Sequence, residues 1–265
     1  MIVDGKAIAQ RILDEVTREV NLLPQAPRLT VFTCTPNFET QKFLQLKQKR
    51  AAEVGINVEL VALDPLTTTE MIVAAIVAAV ATSDGIIVQL PFPGHFDTQP
   101  ILAAVPSTHD VDALRYCGEE TDIFPPVVGA IDAIATAHNV LFTGRSVVVV
   151  GQGRLVGTPA AAYARTCGAI VTVVLKDTLD ASTYLAAADI LILGAGVPGL
   201  VSAEQIKLGA VVLDAGTSEE GGMLVGDADS AVASVASLFT PVPGGIGPIT
   251  IAILLRNLVK LATRS

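Results

Sequence analysis

The sequence predicts an α/β fold of two domains, each built around a parallel sheet. Short apolar runs of strand composition alternate along the chain with longer helical segments, which is the pattern of consecutive βαβ units. Hydrophobic residues make up 51% of the 265 residues, and strands buried on both faces of a parallel sheet account for such a share. The length is sufficient for two modest domains with cores of their own.

The first half of the chain is predicted to form three helices and three strands. Asp4 is placed to cap the first helix, and Gly55 follows the second helix as a residue favoured at helix ends. The predicted helices span 4–22, 39–53 and 69–81, and the predicted strands span 29–35, 57–63 and 85–90. Because helices and strands alternate, the sheet of this half is expected to be parallel.

An irregular segment, 106–128, follows and is interpreted as the crossing between the domains. The second series has predicted helices at 129–139, 159–167 and 249–263 and predicted strands at 146–150, 169–175, 190–193 and 211–214. The apolar stretch 181–203 contains Asp189 and several glycines and is interpreted as strand and turn. The longest uncharged helical run, 71–83, is shorter than the roughly 20 residues that a bilayer requires, so we expect no membrane span.

The composition indicates a cytoplasmic protein without a nucleic-acid partner. The formal net charge is −9 and no basic tract occurs, which argues against nucleic-acid binding. The cysteines, Cys34, Cys117 and Cys167, are odd in number and widely spaced, so they fit neither a disulfide framework nor a zinc site. The N-terminus lacks the pattern of a signal peptide. We therefore expect a reduced protein that holds no metal.

A glycine-rich turn follows the predicted strand 146–150. Gly151, Gly153 and Gly157 form the pattern G-x-G-x-x-x-G between a buried strand and a helix, one residue longer than the commonest dinucleotide fingerprint. Glycines at such a turn let the backbone approach a pyrophosphate at the positive end of the helix. A tight turn without a ligand is the alternative. The residues expected to bind a dinucleotide are Gly151, Gln152, Gly153, Arg154, Leu155, Val156 and Gly157.

The next strand ends at a pair of opposite charges, Lys176 and Asp177. An acid at that point could accept a hydrogen bond from the ribose hydroxyl of NAD. Lys176 or Arg154 could instead bind the 2′-phosphate of NADP. The residues therefore leave the choice between NADP and NAD open.

Four further segments carry side chains suited to ligand chemistry. Phe43 and Lys47 share one helix face, where a ring could stack on a flat heterocycle while the amine handles a proton. A packed phenylalanine beside a solvated lysine is the simpler interpretation. Gln89 and Pro91 follow a strand, at the edge where open α/β sheets bind ligands.

The segment 109–112, HDVD, presents two acids in an irregular region, and a solvated loop or helix cap is the alternative interpretation. The segment 240–250, TPVPGGIGPIT, has three prolines, three glycines and no charge, which predicts a rigid loop lying against a ligand or another domain.

In this order, the segments resemble those of one family, the bifunctional methylenetetrahydrofolate dehydrogenase/cyclohydrolases. The matching segments are DGKAIAQRI, KxKRxxExGI, DGIIVQLPFP, HDVDA, GQGRLVGTP, KLGAVVLDAGT, VGDAD and TPVPGGIGPITIAIL, and they cover nearly the whole chain. The resemblance implies an N-terminal α/β catalytic domain and a Rossmann-like dinucleotide-binding domain, with the folate in the cleft between them. It implies residues 1–122, completed by the C-terminal helix 246–265, for the first domain and 123–245 for the second.

The resemblance also implies a role for individual residues. It puts the catalytic lysine at Lys47, its supporting glutamine at Gln89 and the pterin-binding aspartate at Asp112, which together form the expected catalytic group. The residues expected to bind the folate are Phe43, Pro91, Gly244, Gly245, Gly247, Pro248 and Thr250. Thr217 joins the expected dinucleotide-binding residues.

The implied activity is oxidation of 5,10-methylenetetrahydrofolate with NADP or NAD, followed by hydrolysis of the methenyl product to 10-formyltetrahydrofolate, in a homodimer. The chain departs from the family in having Phe43 where tyrosine is usual and Ala113 where glycine is usual. Because Phe43 lacks a phenol, a monofunctional dehydrogenase without the hydrolytic step is one alternative. A non-catalytic nucleotide-binding protein on the same scaffold is another.

Overall fold

The structure of the protein is a computed structural model that describes residues 1–264. The chain forms two compact units. The three-stranded unit comprises 10–115 together with the chain from 251 onward, and the five-stranded unit comprises 1–9 and 116–250. These breaks lie within about ten residues of those expected at 122/123 and 245/246, except that residues 1–9 join the five-stranded unit. The function expected of each domain stays a prediction.

The three-stranded unit alternates helix and strand, as predicted. Its elements are α1 (Gly5–Val20, which begins in the five-stranded unit), β1 (Arg28–Thr33), α2 (Phe38–Glu53), β2 (Asn57–Ala62), α3 (Thr69–Ala79), β3 (Gly85–Val88) and α4 (Thr98–Ala103). The strands are parallel in the order β2-β1-β3. Side chains such as Phe32, Ile76, Ile86 and Ile101 are fully buried in its core.

The strand order of this sheet reverses at β1, because β2 lies on one side of β1 and β3 on the other. The chain segments that leave β1 and β3 therefore diverge at the carboxyl edge of the sheet, where α/β proteins bind ligands. Four residues separate the end of β1 from the start of helix α2. Its N-cap is Asn37, whose side chain accepts a hydrogen bond from the N–H of Thr40 at 3.0 Å.

The five-stranded unit continues the same alternation. Its elements are α5 (Pro126–His138), β4 (Ser146–Val150), α6 (Gly157–Thr166), β5 (Ile170–Val174), α7 (Ala181–Ala187), β6 (Ile190–Leu193), β7 (Val211–Asp214), β8 (Ser218–Glu220), β9 (Met223–Val225), β10 (Leu238–Phe239) and the start of α8 (Ile246–Ala262), with short 3-10 helices at Ala203–Gln205 and Ser230–Ser234. Five parallel strands lie in the order β10-β7-β6-β4-β5, and β8 and β9 form an antiparallel hairpin. Within residues 1–264, no helix is both long enough and apolar enough to cross a membrane.

This second sheet also reverses its strand order, here at β4, which has β5 on one side and β6 on the other. The loops after β4 and β6 therefore flank the carboxyl-edge crevice of a Rossmann-like sheet. The predicted bounds of β4, β6 and β7 match the structure, because each of these strands is a short run of buried apolar residues. The predicted two-domain α/β class with parallel sheets is confirmed.

Two local predictions need correction, and some elements were not predicted. Residues Ala181–Ala187 form α7 rather than strand and turn, because an alanine-rich run favours a helix. Helix α8 begins at Ile246 rather than at 249, so Gly247 and Pro248 lie in its first turn, where proline is tolerated. Helix α4, strand β10 and the hairpin of β8 and β9 were not predicted. The turn residues of the hairpin, Gly221 and Gly222, have the positive φ angles that such turns require.

The segment that carries Asp112 is attached to the three-stranded sheet. Asp110 forms a parallel bridge with Ile86 in the middle of β3. On the α8 side, Nδ2 of the buried Asn257 donates to the carbonyl oxygen of Val111 at 2.9 Å. The chain then turns at Ala113, whose φ of +48° lies in the left-handed region that disfavours a side chain.

We expect Ala113→Gly to raise the free energy of unfolding by about 0.5–1 kcal/mol. Removing Cβ relieves a cost of about 1–2 kcal/mol at a positive φ, and the greater freedom of glycine in the unfolded chain offsets part of the gain. Urea unfolding measures the change. Ala104→Gly is the matched control, because Ala104 has a φ of −71° and should lose stability on the same substitution. Equal losses in both variants would show that Ala113 is unstrained.

Candidate active site

Lys47 and Gln89 meet at the carboxyl edge of the three-stranded sheet. Lys47 lies in the middle of α2 with only 7% of its surface exposed, and its Nζ donates to Oε1 of Gln89 at 2.8 Å. Gln89 follows β3 directly, and its Nε2 donates to the carbonyl oxygen of Leu90 at 3.1 Å. Both ends of the amide are therefore engaged, and its oxygen is held toward the amine.

Asp112 interacts electrostatically with the same amine. Burial lowers the pKa of Lys47, because desolvation disfavours the charged form, and the Asp112 carboxylate partly opposes this shift. Burial likewise raises the pKa of Asp112, and the Lys47 ammonium partly opposes it. The two groups are thus shifted toward neutral pH from opposite sides, which suits groups that exchange protons.

Asp110 supports the turn that carries Asp112. Its Oδ2 accepts a hydrogen bond from the N–H of Leu114 at 2.8 Å, whereas its buried Oδ1 has no hydrogen-bond partner among residues 1–264. Burial, together with the nearby Asp112 carboxylate, raises the pKa of Asp110 to about 6. The interpretation of this segment as a solvated loop is wrong, since Asp110 is only 7% exposed.

Phe43 and Pro91 are close in sequence to Lys47 and Gln89, respectively. Phe43 lies one helical turn before Lys47 in α2 and is half-buried. Pro91 is exposed, and the peptide bond between Leu90 and Pro91 is cis. The simpler interpretation of the Phe43 and Lys47 pair, a packed ring beside a solvated lysine, is wrong because the lysine is buried.

The three glycines after β4 have different surroundings. Gly151 has a φ of +95°, and a Cβ added to it would lie 2.7 Å from the carbonyl oxygen of Gly194. A Cβ on Gly157 would overlap the carbonyl oxygen of Gly151. A Cβ on Gly153 would have no protein atom within 4 Å. The first and third glycines are therefore required by the protein's own packing, while the second leaves open space of the kind that a pyrophosphate needs.

The start of α6 has the properties of a phosphate site. The residue before it, Val156, provides no side-chain hydrogen bond to the first turn, so the positive end of this ten-residue helix lacks a side-chain cap. Gln152, Arg154 and Leu155 are exposed beside it. These residues fit a dinucleotide pyrophosphate, with backbone N–H groups and one arginine as the donors.

The other predicted cofactor residues lie at the same edge of the five-stranded sheet. Lys176 and Asp177 form an exposed turn after β5, in which the N–H of Leu175 donates to Oγ1 of Thr178 at 2.8 Å. Thr217 follows β7 and is half-buried. Parallel strands bring the segments after β4, β5 and β7 to one edge, so these predicted residues lie along the same edge of the sheet.

The glycine and proline segment 240–250 is tightly held within the five-stranded unit. The N–H of Gly5 donates to the carbonyl oxygen of Gly244 at 3.0 Å, and a Cβ on Gly5 would overlap the carbonyl oxygen of Gly245. Oγ1 of Thr250 donates to the carbonyl oxygen of Gly247 at 2.7 Å. The predicted rigidity of this segment agrees with these contacts, and its last five residues, 246–250, belong to α8.

Two buried acids were not predicted from the sequence. Asp214 and Asp227 are 1% and 0% exposed, and both accept hydrogen bonds from backbone N–H groups at the carboxyl edge of the five-stranded sheet. The signal that could have indicated Asp214 is its position at the end of a run of buried apolar residues. Within residues 1–264, no three His, Cys, Asp or Glu side chains are arranged to hold a metal ion.

Comparisons with known proteins give one consistent family. The sequence profile of the tetrahydrofolate dehydrogenase/cyclohydrolase catalytic domain matches residues 3–112, and the profile of the NAD(P)-binding domain of the same family matches residues 125–265. The bifunctional protein FolD of Exiguobacterium sibiricum is 36% identical over 275 residues, which cover 99% of each chain. The chain belongs to the tetrahydrofolate dehydrogenase/cyclohydrolase family. The resemblance stated from the sequence motifs is therefore confirmed.

Solved structures of this family have the same fold. The bifunctional FolD methylenetetrahydrofolate dehydrogenase/cyclohydrolase of Campylobacter jejuni matches with a TM-score of 0.93 at 32% identity, covering 100% of this chain and 99% of that one. The FolD of Trypanosoma brucei, complexed with NADP and an inhibitor, also has a TM-score of 0.93, at 34% identity, with 100% and 97% coverage. The two-domain architecture of the family therefore extends over the whole chain.

Gly153→Ala should weaken dinucleotide binding without lowering stability, whereas Gly157→Ala should lower stability. We expect Gly153→Ala to unfold at the same temperature as the unaltered protein but to bind NADPH about tenfold more weakly, because its methyl group would occupy the pyrophosphate space. Gly157→Ala should lose about 1–3 kcal/mol of stability or fail to fold, since its Cβ overlaps a carbonyl oxygen. Thermal unfolding and a fluorescence titration with NADPH measure both effects. Unchanged binding by Gly153→Ala would remove this turn from the cofactor site.

The buried carboxyl of Asp110 should make stability fall as the pH rises. Below about pH 4 this group is protonated in both the folded and the unfolded chain, and its contribution to stability is fully present. Between about pH 4 and pH 6 the unfolded chain releases the proton while the folded chain keeps it, so this contribution is lost progressively and is gone once the pH has passed about 6.

We therefore expect the stability of Asp110→Asn to improve relative to the unaltered protein by about 2–3 kcal/mol between pH 4 and pH 7.5. Urea unfolding at each pH measures this difference. Asp64→Asn, at an exposed acid of the same unit, is the control and should show no such trend. A pH-independent difference for Asp110→Asn would mean that Asp110 titrates as a solvated acid.

Proposed function

We propose that this protein oxidises 5,10-methylenetetrahydrofolate to the methenyl form with NADP or NAD and hydrolyses that product to 10-formyltetrahydrofolate. The observation that carries the proposal is the buried amine of Lys47, hydrogen-bonded to Gln89 and electrostatically coupled to Asp112, in a member of this family. The named relative and the first solved structure are described as bifunctional. The monofunctional and non-catalytic alternatives have no comparable support.

Hydrolysis requires a group that can take up and release a proton near neutral pH. Water adds to the methenyl carbon and gives up a first proton, which leaves a hydroxyl group on that carbon. The bond between the carbon and one ring nitrogen then breaks as the nitrogen gains a second proton, and the hydroxyl group releases its own proton to solvent as it becomes the formyl oxygen. Lys47 can accept the first proton as a neutral amine and donate the second as an ammonium, because burial lowers its pKa. Gln89 orients Nζ, and its other contact with Leu90 keeps the amide oxygen toward the amine.

Asp112 is proposed to bind the pterin ring. A carboxylate can accept hydrogen bonds from the amino and ring N–H groups of a pterin in a bidentate arrangement. The rigid attachment of its segment, through the bridge of Asp110 to Ile86 and the hydrogen bond from Asn257, supports this role, since orientation of the substrate is the main requirement of the first reaction. Phe43 is proposed to stack on the flat ring system.

The dehydrogenase step depends on a bound nicotinamide dinucleotide, which accepts the hydride. The role of the protein in this step is to bind that cofactor, at the open space around Gly153 and at the start of α6, which has no side-chain cap. At the far end of the cofactor, Asp177 favours the ribose hydroxyl of NAD, and Lys176 and Arg154 favour the 2′-phosphate of NADP. These opposite charges make a direct comparison of the two dinucleotides part of the test.

We also propose a cytoplasmic homodimer. The edge strand β5 supports the dimer, because Ile170 at its start is 69% exposed and the next three residues are partly exposed. An unpaired strand edge presents N–H and C=O groups with which a strand of another chain can pair. The free thiols of Cys34, Cys117 and Cys167 support a reducing compartment.

Turnover of methylenetetrahydrofolate by the purified protein tests the proposal. Methenyl absorbance is followed with NADP and, separately, with NAD, and its decay is then compared with the spontaneous rate. Formation followed by accelerated decay is the expected result. Formation without accelerated decay would leave a monofunctional dehydrogenase, and no formation with either dinucleotide would overturn the proposal.

Lys47→Arg should separate proton transfer from charge. Arginine keeps the positive charge but does not deprotonate in proteins, so methenyl hydrolysis should fall by about 100-fold or more. NADPH binding, measured by fluorescence, should stay within about twofold. Lys49→Arg, at an exposed lysine of the same helix, is the matched control and should hydrolyse at the original rate. Full hydrolysis by Lys47→Arg would exclude the lysine from the proton transfer.

A further inference from the structure

The buried Asp227 is bound by three consecutive backbone N–H groups. Its Oδ2 accepts from Ala195 at 2.6 Å and from Gly196 at 3.2 Å, and its Oδ1 accepts from Val197 at 2.8 Å. Successive N–H groups that converge on a negative charge form an anion-binding concavity, or nest. Here the protein fills the nest with its own carboxylate, from a residue 30 positions further along the chain.

Asp227 is in turn held by Asp214, the last residue of β7. The carboxylate of Asp214 accepts hydrogen bonds from the N–H groups of Asp227 at 3.3 Å and of Ala228 at 2.8 Å. A Cβ on Gly216 would overlap the carboxylate of Asp227, and a Cβ on Gly226 would overlap that of Asp214. Because both carboxylates are packed against glycine backbone, the position of Asp227 is tightly defined.

The loop that Asp227 holds is in contact with the glycine turn after β4. The N–H of Gly194 donates to the carbonyl oxygen of Val150 at 2.9 Å. A Cβ on Gly151 would lie 2.7 Å from the carbonyl oxygen of Gly194 and 3.1 Å from Cα of Ala195. A Cβ on Gly194 would overlap the side chain of Val156, which precedes α6. The start of the loop, at Gly194 and Ala195, is therefore packed against both ends of the turn, at Gly151 and at Val156. A displacement of the loop would displace the turn.

We propose that Asp227 is a positioning residue for dinucleotide binding, which fills the nest at 195–197 and so holds this loop against the turn from Gly151 to Gly157. The carboxylate acts at a distance from the ligand, through the loop and the turn. Because it occupies all three N–H groups of the nest, the phosphate donors of the site are those of the glycine turn and the start of α6. This inference relies on the proposed function for the identity of the ligand.

Asp227→Asn tests the inference. The amide has the same size, but it has one acceptor oxygen, and its NH₂ group faces N–H donors. We expect NADPH and NADH to bind at least about tenfold more weakly, which corresponds to about 1.4 kcal/mol. Methenyl hydrolysis consumes no dinucleotide and involves residues of the three-stranded unit, so it should be retained. A merely structural role would lower hydrolysis and binding together.

Asp229→Asn is the matched control. Asp229 is an exposed acid two residues away, and its carboxylate caps the 3-10 helix Ser230–Ser234 by accepting from the N–H of Ala231 at 2.8 Å. The same substitution there should leave NADPH binding unchanged. Tight NADPH binding by Asp227→Asn, or equal weakening in both variants, would overturn the inference.

Amide hydrogen exchange of the unaltered protein tests the inference if Asp227→Asn does not fold. The N–H groups of Ala195 and Val197 should exchange as slowly as those of β6, although they lie in a loop. Exchange at the rate of exposed loops would overturn the inference. The NADPH titration also separates the two proposals: a protein that binds NADPH but does not oxidise methylenetetrahydrofolate contradicts the proposed function alone. Binding of neither NADPH nor NADH by the unaltered protein would overturn both.

Discussion

The reversal of strand order at the first strand of each parallel sheet is the constraint on which the rest of the structure depends. In each unit the chain places its second strand on one side of the first and its third strand on the other. The segments that leave the first and third strands must then diverge at the carboxyl edge. This geometry sets α2, with Lys47, opposite the residue after β3, Gln89. In the other unit it sets the glycine turn after β4 beside the loop after β6.

Both crevices contain polar groups that the protein buries at a cost. Taking a charged group out of water is unfavourable unless hydrogen bonds or an opposite charge compensate. Lys47 has Gln89 and the field of Asp112, whereas Asp214 and Asp227 each accept several backbone N–H groups. The compensation differs with the role: the backbone donors fix the shape of a loop, while the amine with a shifted pKa can change its protonation state.

The two positions at which this chain differs from the residues usual in its family, 43 and 113, can be understood in the same physical terms. Ala113 has a positive φ at the turn after Asp112, so this chain tolerates backbone strain where the family usually has glycine. The hydrogen bond from Asn257 and the bridge between Asp110 and Ile86 hold the segment despite that strain. Phe43 keeps the ring of the usual tyrosine but not its phenol, so the proton chemistry proposed for this chain rests on Lys47.

The sequence by itself determined the α/β class, the bounds of β4, β6 and β7, and the glycine turn at 151–157. These features are local, because a buried apolar run between turn residues specifies a strand with little help from distant contacts. The hydrophobic period did not separate the short helix α7 from a strand, since seven residues are too few to show it, although the alanines of this segment favour a helix.

Only the tertiary structure decided that Lys47 is buried against Gln89, 42 residues away, and that Asp227 holds a loop 30 residues before it. A lysine or an aspartate has the same local pattern whether solvent or backbone N–H groups surround it. What surrounds it is set by the order of the strands, which no window of neighbouring residues contains.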